Sequence, residues 1–285
     1  MQVLLVGATA HLASTLIPLL LSSPYISHLV LLSRSSIRSA RILSNTKITQ
    51  YLHADLSSLP DSLFTTLRDT HHIRAVIWLV GGSISRFKTL DAAHEANVSL
   101  PLAFLEQCVA QGLVPTPAGL GGAEEPCPPP PVEEEQPRPG FKRSRKGRYT
   151  DPSAKNPFRF VYMSTYNATQ DQFASLWAAG QFRKMKGAAE KSLLGLAEEK
   201  GQGMLEVFCL RLGKVLDGGQ TAGNAIWQGA GGYISDELVG KKTLSLCLGG
   251  RGEAKYGGTE GGGVLELKEV LGDGWAEINS VTVNG

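Results

Sequence analysis

The sequence has few residues that could hold a metal or form disulfides. No two of its four cysteines stand in a Cys-x-x-Cys pair, and no histidine lies at metal-ligand spacing from them. Separated cysteines of this kind are typical of reduced thiols in a cytoplasmic protein. His71 and His72 stand in a polar connection, which indicates a solvated loop rather than a metal site. We therefore expect no bound metal. The four cysteines are Cys108, Cys127, Cys209 and Cys247.

Motifs of two other enzyme classes are also missing. No serine stands in a Gly-x-Ser-x-Gly frame, so an α/β-hydrolase would have no nucleophile elbow. No G-x-x-x-x-G-K-[ST] segment occurs, which disfavours a P-loop nucleotide hydrolase.

Charge of one sign does not dominate the chain, because 28 basic residues face 26 acidic ones. The formal net charge of +2 offers no electrostatic reason to seek nucleic acid or an anionic membrane. The N-terminus lacks the basic segment and cleavage site of a secretory signal. We expect a cytoplasmic protein with a small-molecule substrate and neither nucleic acid nor membrane as a partner; a homodimer is left open.

One apolar run is long enough to span a bilayer. It covers residues 12–32, but Pro18, the Ser-Ser-Pro segment at 22–24 and His28 interrupt it. A buried helix followed by a buried strand explains the run better than a membrane span.

Short apolar runs alternate with helical segments along the chain. "QVLLV" at 2–6 predicts a strand, "GATA" a turn and "HLASTLIPLLLSS" a helix. Alternation of this kind predicts a parallel sheet covered on both faces, so we expect one Rossmann-like, doubly wound α/β domain over residues 1–285. Further strands are predicted at 28–34, 48–56, 74–82 and 158–165, a sixth strand with a loop at 204–216, and a further helix at 89–112.

Two regions do not fit this alternation. Residues 114–157 are dense in proline, glutamate and basic residues, which predicts a disordered surface insertion in a loop. Its "KRSRKGR" segment could be a nuclear address or nucleic-acid patch and its "PPPP" a polyproline ligand, but a solvated linker is the stronger interpretation. The glycine-rich region 218–285 permits no clear assignment of elements, and we expect it on the substrate side.

The turn after the first strand has a phosphate-binding pattern, because amides at a helix N-terminus favour an anion. "VGATAHLAS" resembles the G-x-x-G-x-x-G turn of short-chain dehydrogenases/reductases, especially the extended and atypical branches. Gly7 keeps the tight turn. Ala13 stands where the family accepts alanine, whereas Ala10 places a methyl group where the backbone should approach a pyrophosphate.

The same resemblance implies a dinucleotide cofactor, NADP rather than NAD. "LLSRSS" carries Ser33 and Arg34 where an NAD enzyme would have an acid, which favours a 2′-phosphate; a surface arginine is the plain alternative. In "HADL", Asp55 would face the adenine, although a role as a helix N-cap is open. The residues implied at the cofactor are Gly7, Thr9, Ala10, His11, Leu12, Ser33, Arg34, Asp55, Leu56, Val80, Gly81, Gly82 and Lys186.

Two further segments follow the family's order. "WLVGG" takes the place of the small-residue segment beside the nicotinamide ribose, where Gly81 and Gly82 allow close approach. "EANVSLPLAFLEQCVAQG" is similar to the family helix in which Asn97 would help to order the active site.

The resemblance also implies catalytic residues. "FVYMST" supplies Ser164, which in the family orients a carbonyl, and "FRKMKGAAE" matches the family's Y-x-x-M-K-G-x-x-E helix with Lys186 in register. In the family this lysine lowers the pKa of the tyrosine one turn earlier and binds the nicotinamide ribose. Here that tyrosine is Phe182, which has no proton to give.

Three interpretations follow from Phe182. The protein is a reductase in which Tyr166, Lys184 or a water relayed from Lys186 supplies the proton; it binds NADP(H) without turnover, as NmrA-like regulators do; or it is a degenerate member of the fold, with Ala10 also against binding. Tyr166 lies two residues past Ser164, although an aromatic of the surface or substrate wall is the simpler role for it.

Overall fold

The computed structural model describes residues 1–115, 157–176, 180–216, 233–249 and 262–266. Its strands are β1 (Gln2–Val6), β2 (His28–Ser33), β3 (Ile48–Leu52), β4 (Ala75–Trp78), β5 (Phe158–Thr165), β6 (Leu205–Leu212), β7 (Lys214–Leu216), β8 (Tyr233–Ser235) and β9 (Gly262–Leu265). Its helices are α1 (Ala13–Ser22), α2 (Ala40–Leu43), α3 (Asp61–Asp69), α4 (Leu90–His94), α5 (Leu100–Ala110), α6 (Gly180–Lys200) and α7 (Asp236–Gly249).

Seven strands form one sheet in the order β3-β2-β1-β4-β5-β6-β9, and every neighbouring pair is parallel. The order reverses between β1 and β4, which opens a crevice at the carboxyl edge of the sheet. The expected doubly wound Rossmann-like fold is therefore confirmed.

Helices cover both faces of this sheet, and each strand contributes to two cores. In β1, Leu4 and Val6 pack towards α3, α5 and α6, while Val3 and Leu5 pack towards α1 and α7. All four side chains have no exposed surface. Burial on both faces explains why the strands appear in the sequence as continuous apolar runs rather than as alternating ones.

The long apolar run near the N-terminus forms α1 and then β2, as predicted. Pro18 lies inside α1, which nevertheless continues to Ser22. Among the described helices, none has both the length and the apolar composition needed to cross a membrane.

The helix predicted over 89–112 is not regular. Between α4 and α5 the backbone forms a π-helical turn over Glu95–Ser99, which carries the buried Asn97. A π turn inserts one extra residue into a helix and so changes where its side chains point. Here it accompanies a hydrogen bond from the side-chain Nδ2 of Asn97 back to the Ala93 carbonyl, at 2.8 Å.

The segment 204–216, predicted as a strand and a loop, holds two strands. β6 joins the main sheet, whereas β7 pairs with β8 in a separate two-stranded parallel sheet. In the C-terminal region, "TLSLCL" lies within α7 and "VLELKEVL" begins in β9. α7 packs on α1, where the Thr15 hydroxyl donates a 2.5 Å hydrogen bond to Asp236.

The predicted insertion begins later than expected. Val114 is 4% exposed and packs in the core on the α5 side, so the folded part extends past the boundary at 114. The proposed disorder of the insertion falls on residues 116–156, which lie outside the described residues.

Candidate functional site

The turn between β1 and α1 lies at the crevice. Gly7 has a φ of +88°, a left-handed conformation that favours glycine, and its carbonyl accepts a 2.8 Å bond from the Ala10 amide. A Cβ on Gly7 would lie 3.1 Å from the side chain of Val80, so the ends of β1 and β4 meet here. Thr9 and His11 are exposed beside this contact, and α1 begins directly after Leu12.

Ser33 and Arg34, at the end of β2, differ in their exposure to solvent. Ser33 is 1% exposed, and its hydroxyl donates to the Ser35 carbonyl at 2.8 Å, which fixes the turn that follows the strand. Arg34 is exposed to solvent at the same edge. This position suits either a phosphate ligand or an ordinary surface arginine.

Asp55 is engaged by its own turn. Its carboxylate accepts from the Ser57 amide at 2.8 Å, from the Ser57 hydroxyl at 2.7 Å and from Ser58 at 3.1 Å. These bonds, that of the Ser57 side chain first, lower the pKa of Asp55 below its ordinary value. The Asp55 carboxylate thus stabilises the turn at Ser57 and Ser58. A contact between Asp55 and an adenine stays a prediction. Leu56 is buried in the core.

Gly81 and Gly82 lie against Asn97. The Gly82 amide donates to Oδ1 of Asn97, and Nδ2 of Asn97 donates to the Gly82 carbonyl, each at 3.1 Å. Both glycines have positive φ, of +128° and +148°. A Cβ on Gly81 would lie 2.6 Å from Oδ1 of Asn97 and 3.6 Å from Nζ of Lys186. Only glycine therefore fits at position 81, and its backbone lies close to the lysine amine.

Lys186 is buried on α6, with 5% of its surface exposed. Nζ donates to the hydroxyl of Tyr162 and to the carbonyl of Met163, each at 3.0 Å, and it lies 4.6 Å from the centre of the Tyr162 ring. Burial lowers the pKa of Lys186 to about 7, against the opposing charge of Glu190.

Tyr162 contacts this lysine, although the sequence did not single it out. Its hydroxyl donates to the main-chain carbonyl of Asn97 at 2.7 Å. The only sequence signal was its spacing from Ser164, because residues two apart on a strand share a face. Nothing in the sequence alone places its hydroxyl on Lys186.

Ser164 belongs to a buried ionic cluster. Its hydroxyl donates to Oε1 of Glu190 at 2.5 Å, and Glu190 is fully buried. Arg211 grips the same carboxylate with bonds of 3.0 and 2.6 Å, and it also pairs with Glu266 at 2.6 Å. The hydrogen bond to Glu190 raises the pKa of Arg211. The Ser164 hydroxyl has one hydrogen, which it donates to Glu190. Its oxygen can therefore accept a hydrogen bond from a ligand but cannot donate one.

Phe182 lies above the lysine, with its ring centre 5.9 Å from Nζ of Lys186. Tyr166 is 45% exposed, and its amide donates to the Leu212 carbonyl at 2.6 Å. Among the described residues, no hydrogen bond involves the Tyr166 hydroxyl. Its exposure fits an aromatic at the surface or in a substrate wall.

The loop that follows β5 is fixed to the start of α6. Nε of Arg183 donates to the Asn167 carbonyl at 2.7 Å, and the Thr169 amide donates to the Arg183 carbonyl at 3.2 Å. A Cβ on Gly187 would overlap the Thr169 carbonyl, so glycine is required where loop and helix meet. The "MKG" segment thus positions the lysine and admits the loop beside it.

His71, the first of the two adjacent histidines, contacts a tyrosine and a third histidine. Nε2 of His71 bonds to the Tyr51 hydroxyl at 2.8 Å, and the ring stacks on His28 with centroids 5.2 Å apart. No group of three metal-ligating side chains occurs in the described part of the chain. Cys108, Cys209 and Cys247 are buried free thiols, and Cys127 lies outside the described residues.

Comparisons with solved structures identify the fold. The carbonyl reductase Sniffer of D. melanogaster superposes with a TM-score of 0.61 at 14% identity, over 93% of this chain and 96% of that one. The Bordetella bronchiseptica enzyme WbmF, in complex with NAD+, has a TM-score of 0.55 at 16% identity, over 100% and 79% of the two chains. UDP-glucose 4-epimerase of Thermotoga maritima, with UDP-glucose, has a TM-score of 0.54 at 13% identity, over 93% and 76%.

These neighbours are named a carbonyl reductase, an enzyme in complex with NAD+ and a UDP-glucose 4-epimerase, and the resemblance noted in the sequence is consistent with those names. At such identities the likeness establishes the fold alone. No family model and no curated protein matches the chain.

Proposed function

We propose that this chain binds NADP(H) across the carboxyl edge of its sheet and is an oxidoreductase for a small carbonyl or hydroxy compound, with Phe182 in place of the usual tyrosine. The observation that carries the proposal is Lys186. A lysine amine is buried at the edge where doubly wound sheets bind their ligands, and it lies beside Gly81.

The residues around the crevice fit a dinucleotide. The backbone of Gly81 lies beside the amine of Lys186, and the one hydrogen of that amine not bonded to Tyr162 or Met163 suits a ribose hydroxyl. The N-terminus of α1, directly after the tight turn at Gly7, suits a pyrophosphate, although the Ala10 methyl narrows the approach. The carbonyl reductase activity named for Sniffer and the NAD+ named for WbmF support the same class of ligand.

Each part of the cofactor has proposed contacts along this edge. Gly7, Thr9, Ala10, His11 and Leu12 serve the pyrophosphate, Ser33 and Arg34 the 2′-phosphate, Asp55 and Leu56 the adenine, and Val80, Gly81, Gly82 and Lys186 the nicotinamide ribose. Exposed Arg34 at the end of β2 is the reason for NADP over NAD.

The bound nicotinamide would supply or accept a hydride, and the protein must manage the accompanying proton. Lys186 holds a proton at Nζ and titrates near neutral pH, which suits an acid or base better than an ordinary lysine would. Tyr166 and a water relayed from Lys186 are the other proposed routes for that proton. Because the Ser164 hydroxyl donates its hydrogen bond to Glu190, its oxygen would accept a hydrogen bond from a substrate hydroxyl.

A non-catalytic, redox-sensing NADP(H) protein is the second candidate. Two observations favour it: Phe182 has no acidic proton, and the Ser164 hydrogen is already donated to a buried carboxylate. Such a protein would report the state of the cofactor to a partner instead of turning it over.

Titration of the full-length protein with NADPH, followed by fluorescence, tests the binding shared by both candidates. We expect saturation at micromolar concentrations; no saturable binding below about 1 mM would reject both.

An assay of ketones and aldehydes then separates the two candidates. Wild type, Lys186→Met, Tyr166→Phe and Phe182→Tyr are compared, with Phe173→Tyr as the control, because Phe173 is 97% exposed. Turnover in wild type that Lys186→Met abolishes supports the oxidoreductase. Loss in Tyr166→Phe would assign the proton to Tyr166 instead. Turnover only in Phe182→Tyr supports the sensor.

A further inference from the structure

Tyr162 is a buried phenol on β5 that is hydrogen-bonded to Lys186, the lysine proposed to bind the cofactor. It has no exposed surface, and its hydroxyl lies between Nζ of Lys186 and the carbonyl of Asn97. We propose that Tyr162 is the positioning residue of Lys186: together with the Met163 carbonyl it takes up two hydrogens of the amine and leaves one position of Nζ for the ligand. This inference rests on the proposed function of Lys186.

The direction of the hydrogen bonds is settled by chemistry. A main-chain carbonyl can only accept, so the Tyr162 hydroxyl must donate its single hydrogen to Asn97. The phenol oxygen then has only lone pairs left for the amine. Lys186 is therefore the donor in the 3.0 Å bond to Tyr162.

The number of hydrogens on Nζ of Lys186 determines how many remain for a ligand. A charged amine has three, of which one goes to Tyr162 and one to the Met163 carbonyl. Among the described residues the third has no acceptor, so it is the hydrogen left for a ligand. In the neutral amine the two inner bonds persist and a lone pair occupies the open position. Lys186 can thus give or take a proton at one place only.

Tyr162 itself does not serve as the acid. Burial raises its pKa well above the ordinary value, and its hydroxyl has no exposed surface from which to reach a ligand. The phenol that α6 lacks at position 182 is thus not replaced in its acid role by the phenol of β5. Tyr162 acts on the reaction only through Lys186.

Several charged or titratable groups face the amine. Glu190 lies one turn further along α6, and its charge favours the ammonium form. Burial raises the pKa of Cys209 on β6 well above its ordinary value, so this thiol faces the amine in its neutral form. Arg211 neutralises part of the effect of Glu190, because it grips that carboxylate. Burial outweighs these charges, so the bond to Tyr162 is one of few contacts that stabilise the charged amine.

The first test follows Lys186 in the cofactor-free, full-length protein by NMR of 15N-labelled lysine side chains. In wild type we expect one lysine to titrate near pH 7 with ammonium hydrogens that exchange slowly. Tyr162→Phe should move that midpoint down by about one pH unit, since one hydrogen bond to the charged form is lost. Tyr51→Phe removes another partly buried, hydrogen-bonded phenol and should leave it in place.

The second test is NADPH binding by the same variants as a function of pH. Tyr162→Phe should weaken binding about tenfold at neutral pH and recover part of the loss at lower pH, where the amine is charged again. Tyr51→Phe should match wild type at each pH. Thermal melts establish that each variant is folded.

The outcomes separate the two proposals. If wild type does not bind NADPH, the proposed function fails while the NMR midpoint still tests Tyr162. If NADPH binds but Tyr162→Phe changes neither midpoint nor affinity, the role of Tyr162 is overturned. If Tyr162→Phe does not fold, the wild-type spectrum decides, because ammonium hydrogens of Lys186 that exchange as fast as those of exposed lysines would overturn the inference.

Discussion

The hydroxyl of Ser164 donates a 2.5 Å hydrogen bond to the carboxylate of Glu190, and both groups are buried. Ser164 ends up tied to α6 as well as to its own strand. Arg211 completes the arrangement from β6, so one carboxylate joins three elements of the fold beside the proposed cofactor lysine.

Removal of the Glu190 carboxylate should destabilise the folded protein. Glu190→Ala leaves Arg211 partly buried without its main partner, and we expect a loss of about 3–5 kcal/mol in the free energy of unfolding. The control is Glu237→Ala, which breaks the exposed ion pair with Lys241 and should cost less than about 1 kcal/mol. Urea denaturation measures both, and equal losses would contradict a structural role for the cluster.

Two glycines of α6 should respond oppositely to alanine. A Cβ at Gly187 would overlap the Thr169 carbonyl, so Gly187→Ala should destabilise the protein by about 1–3 kcal/mol. A Cβ at Gly195 meets no atom within 4 Å, so Gly195→Ala should stabilise the helix by about 0.5–1 kcal/mol. Thermal denaturation compares them. A neutral Gly187→Ala would mean that the loop at 166–170 shifts at little cost.

The stability of the protein should decrease in mild acid because of His71. Burial, and then the charges of His28 and His72, lower the pKa of His71 from its ordinary 6.5. The unfolded chain therefore binds a proton more readily than the folded one, so the free energy of unfolding falls as the pH falls through 6.5 and below.

Denaturation at about pH 8 and about pH 5.5 tests this relation. His71→Asn should cost more stability at the higher pH, where wild type keeps the neutral imidazole bonded to Tyr51. If the variant costs the same at both values, His71 does not contribute to the pH dependence.

The preference for NADP depends on Arg34 in our proposal. Arg34→Asp should weaken NADPH binding by at least about tenfold and affect NADH far less, because only NADPH carries the 2′-phosphate. Arg74→Asp makes the same change of charge at the amino end of β4 and should leave the ratio of the two affinities unchanged. Equal weakening of NADPH and NADH in Arg34→Asp would refute the assignment.

Much of the fold could be predicted from local patterns. Strands buried on both faces leave continuous apolar runs, and the helices between them forced parallel pairing, so β1 to β6 appear near their predicted places. The π-helical turn at Glu95–Ser99 and the pairing of β7 with β8 escaped prediction. Both depend on contacts with distant residues, which local periodicity does not report.

The sequence by itself determined the order of the strands along the chain, the absence of a phenol at position 182 and the placement of Lys186 one turn later. Only the tertiary structure decided what those residues touch. Tyr162 and Glu190 meet Lys186 and Ser164 across 24 and 26 positions of the sequence, because strand and helix pack face to face. These hydrogen bonds depend on that packing and on burial. The fold therefore decides which groups of the site donate hydrogen bonds and which accept them.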